Sequence, residues 1–119
     1  MPAIRLQRLE WAAAALALLL CYSFSDGPWI LFALLVLAPD LAMLGYLFGP
    51  RVGAVAYNAA HMLVGPALAA VVGLATGNET ATWIAIIWLF HIAVDRALGY
   101  GLKLSTGFRD THLGRIGRD

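Results

Sequence analysis

Charge is what this chain lacks most. Of its 119 residues only 13% are Asp, Glu, Lys or Arg, about half the share of a soluble domain. So few charges cannot cover a water-facing surface, which excludes an ordinary soluble globule. Basic excess is missing too: the net charge is +1, so there is no broad cationic face for nucleic acid. The one cysteine, Cys21, excludes an internal disulfide and reads as a small apolar packing residue. No small-x-small cleavage site follows the first apolar run. Ser25-Asp26-Gly27-Pro28 stands there instead, and more apolar sequence follows, so that run is not a signal peptide.

Apolar sequence fills the space that charge leaves. Hydrophobic residues make up 61% of the chain and mean hydropathy is +0.78. Four runs approach the roughly 20 residues that cross a bilayer: 9–25, 29–48, 52–75 and 82–104. Turn residues separate them, namely Ser25-Asp26-Gly27-Pro28, Gly49-Pro50-Arg51 and Thr76-Gly77-Asn78-Glu79-Thr80. Pro28 and Pro50 suit the first turns of the second and third helices, and Asn78 or Thr80 suits the cap of the fourth. Connections this short make neighbouring helices antiparallel. The expectation is an all-α, single-domain, integral membrane antiparallel four-helix bundle over residues 1–119, with a cytoplasmic tail at 105–119. With no long polar face of its own, the first helix is expected to face lipid or a partner subunit.

The basic residues give orientation. Arg5 and Arg8 precede the first run, Arg51 lies in the second connection, and Lys103, Arg109, Arg115 and Arg118 follow the fourth. The first and third connections hold only Asp26 and Glu79. Both termini and the second connection are therefore expected on the cytoplasmic side of the membrane.

Ionisable residues inside the runs are few and sit at one depth. Asp40, Asn58, His61, His91 and Asp95 all fall about 9–18 Å from the cytoplasmic edge at 1.5 Å rise per residue. His91 and Asp95 share a face at i, i+4; Asn58 and His61 do so at i, i+3, and Tyr57 and His61 at i, i+4. Charged groups at such depth turn inward and find partners. Pro39 and Pro66 reinforce this layer, because each removes a backbone donor and frees a carbonyl about one turn earlier.

Two His, two Asp and an Asn form the ligand set of a divalent transition metal, Zn, Fe or Mn. The expected ligands are Asp40, Asn58, His61, His91 and Asp95, with Asp95, Arg96 and His112 as candidate catalytic groups. A hydrogen-bonded network joining three helices, with Arg96 neutralising Asp40 or Asp95, is the competing reading. Haem held by His61 and His91 has no other support. The tail segment "GFRDTHLG" reads either as a basic tail on anionic lipid or as a cytoplasmic lid. The function classes left open are a metal-dependent membrane enzyme acting on a lipid-like or small amphiphilic substrate, a small ion- or proton-coupled transporter working as a homo-oligomer, and a non-catalytic assembly subunit.

The stretches "APDLAMLGYLFGPRVGAVAYNAAH" and "HIAVDRALGYGLKLSTGFRDTHLGRIG" resemble a family of short bacterial integral membrane proteins known as a domain of unknown function. The resemblance covers about residues 28–117. It implies no activity, only that Asp40, Asn58, His61, His91, Asp95, Arg96 and Thr111-His112 are signature positions. A looser similarity runs to bacterial membrane-bound, metal-dependent hydrolases with an early Pro-Asp and later His motifs. Here Asp40 is followed by Leu41-Ala42-Met43 rather than by the His of those enzymes.

Overall fold

The computed structural model describes residues 2–100, and beyond them only 110–111 and 114–115. The described chain is helical apart from a two-residue antiparallel ladder that pairs Asp110 with Arg115 and Thr111 with Gly114. Helix α1 spans Pro2–Phe24 and α2 spans Trp29–Leu35; a 3-10 helix follows over Ala38–Phe48. Then come α3 (Pro50–His61), α4 (Val64–Thr76) and α5 (Glu79–Ala97). The lid or tail at 105–109, His112 and 116–119 lies outside the described residues.

Three segments are long and apolar enough to cross a membrane: Trp29–Phe48, Pro50–Thr76 and Glu79–Ala97. Helix α1 is not among them, because Arg5, Arg8 and Glu10 occupy its first turns. The second and third segments are each interrupted, near the prolines that the sequence places inside them. α2 gives way to the 3-10 helix around Val36–Leu37, just ahead of Pro39. α3 stops at His61, Met62 turns extended (φ −98°, ψ 161°), and α4 resumes ahead of Pro66. Both interruptions lie within one turn before a proline whose missing N–H would have continued the α-helical ladder.

Local chemistry sets the remaining ends. α1 stops where Asp26 takes a left-handed conformation (φ 59°), with the Ser25 hydroxyl donating to the Tyr22 carbonyl at 2.8 Å. Asn78 caps α5, its Oδ1 accepting from the Ala81 N–H at 3.1 Å. That contact accounts for the Asn78-Glu79-Thr80 stretch as a cap.

α5 is the axis of the molecule, with α1 and α4 packed along it, while α3 packs on the 3-10 helix. Gly53 makes that second pairing possible, since any Cβ there would overlap the Tyr46 ring. In lipid, apolar helices gain little from leaving solvent, so close packing and polar bonds hold them together. Such bonds tie the elements: Trp83 Nε1 donates to the Ser25 carbonyl, Trp88 Nε1 to Ala60, Arg8 Nε to Ala97 and an Arg96 Nη to His61. α1 packs along α5 through Ala15 and Tyr22 and leaves most of its other side chains exposed, in keeping with a face turned to lipid or to a partner. Tyr22 is fully buried, meets the Trp29 ring edge-on and the Phe32 ring at a tilt, and donates to the Pro28 carbonyl. One expectation fails here. Cys21, one residue earlier, is exposed instead of packed.

Candidate metal centre

Each unit of the fold contributes one His and one Asp. Asp40 stands in the first turn of the 3-10 helix and His61 ends α3, so both flank the interruptions in their segments. His91 and Asp95 lie one turn apart on α5. His61 and His91 are buried, whereas the side chains of Asp95 and Asp40 are 15% and 32% exposed.

The four side chains point at one another. His61 Nε2 and His91 Nε2 are 3.1 Å apart, and each is 3.1 Å from Asp40 Oδ1. Asp95 Oδ2 lies 3.4 Å from His61 Nε2 and 3.3 Å from His91 Nε2. One donor atom from each residue falls within a common 4.8 Å.

The far sides of both imidazoles are committed. His61 Nδ1 is 2.8 Å from the Tyr57 carbonyl and His91 Nδ1 is 2.6 Å from the Val36 carbonyl. Carbonyl oxygens only accept, so each Nδ1 carries the proton. When both rings are neutral, each presents an Nε2 lone pair to the other and to two carboxylates. Lone pairs converging at 3.1 Å in an apolar interior are unfavourable without a positive charge between them, which either a cation or a second proton on one imidazole supplies.

A divalent cation held by these four residues would supply that charge. A tetrahedral ion with bonds of about 2.0–2.1 Å holds its donors about 3.3–3.4 Å apart, close to the 3.1–3.4 Å of the five pairs that involve an imidazole nitrogen, in a set that lies within 4.8 Å overall. Two carboxylates would neutralise its charge. The histidines are oriented from behind by backbone carbonyls, the usual support of metal-ligating imidazoles.

The Val36 carbonyl is available because of Pro39. In a 3-10 turn its partner would be the N–H of residue 39, which proline lacks. The N–H of residue 40, its α-helical partner, donates to Leu37 instead at 3.0 Å. The proline thus leaves an acceptor that His91 fills.

The remaining candidates are placed as follows. Asn58 is half-buried on α3 and is not one of the four convergent ligands. Arg96 forms no ion pair with Asp40 or Asp95 among the described residues, where the competing network reading would have had one. It is buried, donates to the His61 carbonyl at 3.0 Å, and lies 5.4 Å above the Trp11 ring. An arginine on the last carbonyl of α3 closes an open helix end. His112 lies outside the described residues. Tyr57 was not named from sequence as a site residue. Its ring stacks on His61 at 3.7 Å, and its hydroxyl is 3.4 Å from Asp95 Oδ2. The i, i+4 spacing from His61 was the signal that could have found it.

No curated protein and no solved structure matches the chain. The family model that does match covers residues 4–116, so it takes in α1, which the resemblance read from the sequence left out. The chain belongs to that family, the domain of unknown function DUF4260.

Proposed function

We propose that this chain is a metal protein of the bacterial inner membrane, with both termini cytoplasmic and Asp40, His61, His91 and Asp95 holding one divalent ion. Zinc is the first choice among Zn, Fe and Mn, because two imidazoles and two carboxylates at tetrahedral spacing suit it. One observation carries the reading: two Nε2 atoms stand 3.1 Å apart with both Nδ1 protons given to carbonyls.

The activity supported best is metal-dependent chemistry on a lipid-like or small amphiphilic substrate. When bound, such an ion supplies Lewis acidity and makes a held water a nucleophile near neutral pH. The chain's own groups orient and admit. Tyr57 and the Val36 and Tyr57 carbonyls fix the ligands, and Arg96 fixes the end of α3 that bears His61. Asp40, the most exposed of the four, is the ligand best able to yield a coordination position. In this reading α1, 23 residues long and so about 34 Å end to end, is a fourth crossing with its basic end at the cytoplasmic face.

A second reading, metal transport, is favoured by the interruptions beside Asp40 and His61. Discontinuous helices at membrane depth are where transporters hold ions.

The test is metal content per chain after purification without chelator, from cells supplied with Zn, Fe and Mn. Wild type should carry about one equivalent and His91→Ala should lose most of it. Metal-free wild type would remove the centre; equally loaded His91→Ala would remove this ligand assignment. Metal-driven flux in liposomes would move the protein to the transport reading.

A further inference from the structure

A partly open apolar pocket of about 270 Å³ lies along the segments that carry the ligands. Its wall is made from the chain neighbours of the ligands. Pro39 precedes Asp40, Ala60 precedes His61, and Ile87 lies one turn before His91; Ala38 and Trp88 complete the part that matters here. The one polar atom among these side chains, Trp88 Nε1, is already used, donating to the Ala60 carbonyl at 2.6 Å. Trp88 cannot swing away either. Its ring lies against the backbone of α4 at Gly65, where any Cβ would overlap it. The cavity is therefore pre-formed, with a fixed indole in its wall.

A dry apolar cavity of about 150 Å³ is already enough to take up benzene. This one is larger, lies within segments apolar enough to face lipid, and shares its backbone with three of the four ligands. We infer that it is a chain-binding subsite. It takes an unbranched alkyl chain of an amphiphile whose polar head is presented to Asp40, His61, His91 and Asp95. This inference rests on the enzyme reading above and adds the substrate class and the residues that select it.

The probe is a series of alkyl hydroxamates, whose head binds zinc and whose chain is varied. Acetohydroxamate, butyrohydroxamate and hexanohydroxamate are titrated against the zinc-loaded full chain in detergent. Zinc content is measured first. Affinity should rise about twofold to fourfold per added methylene, the worth of burying one CH2 group. Ala60→Leu and Ala38→Leu each fill the cavity from a different element. Both should keep their zinc and bind acetohydroxamate like wild type, yet lose the gain with chain length. No gain in zinc-loaded wild type, a gain that persists in both filled variants, or no acetohydroxamate binding would each overturn the subsite while leaving the metal centre standing. A wild type that takes up no zinc would overturn the centre, and the subsite with it.

Discussion

Pro39 acts through the hydrogen it does not have. Its missing N–H leaves the Val36 carbonyl to His91 Nδ1, which aims the other ring nitrogen at the centre. Pro39→Ala returns a donor that competes for that carbonyl. Metal affinity should fall about 10–100-fold, the usual cost of losing an outer partner of a metal-bound histidine; competition against a chelator of known affinity measures it. Arg96→Gln should differ in kind. It keeps all four ligands, so metal stoichiometry should hold. The His61 carbonyl loses its charged donor and the Trp11 ring its cation, so melting temperature should fall by an amount equivalent to about 1–3 kcal/mol. The convergence of Asp40, His61, His91 and Asp95 was readable from sequence because His and Asp are rare in apolar runs and their depth is a matter of counting. The contacts of Arg96 were not, because sequence spacing shows proximity to Asp95 but not the open carbonyl at the end of α3. Tyr57 was passed over because a tyrosine in an apolar helix has an ordinary packing explanation.

Between helices, the centre joins two units that otherwise share little backbone packing. The 3-10 helix and α3 form a hairpin bearing Asp40 and His61, and α5 bears His91 and Asp95. A bound ion is therefore a staple between hairpin and axis. Ligand bound at about 100 times its dissociation constant stabilises by about 2.7 kcal/mol, and that stabilisation should be local. Stripping the metal should speed hydrogen exchange in residues 38–61 while the amides of α4 and α5 keep their protection. A uniform change across all helices would contradict the staple. Both interruptions were readable from Pro39 and Pro66. The 3-10 winding was not: Ala, Leu and Met over 38–48 favour an α-helix locally, and fit against Gly53 and Ala56 of α3 prevails.

For the molecule as a whole, topology is the open measurement. Arg5 and Arg8 at one end and Arg109, Arg115 and Arg118 at the other should all be cytoplasmic. Reporter fusions at the two termini should give the same side. Opposite sides would make α1 a surface helix, leaving the three long apolar segments as the crossings. Composition made the membrane class plain, but it could not show that α1 packs on α5, since an Ala- and Leu-rich helix looks alike from sequence whether it meets lipid or protein. The unusual helix has one more consequence. At three residues per turn, positions three apart line up, so residues 38–48 form a triangular prism. One edge, Leu41, Leu44 and Leu47, is exposed; another, Asp40, Met43 and Tyr46, is half-buried, and so is the third, Pro39, Ala42 and Gly45. Lengthening the prism by three residues repeats its edges. Lengthening it by one turns every later residue through about 120°, setting a leucine where glycine meets α3. The segment is thus a ratchet in sequence space that admits changes of length only in threes.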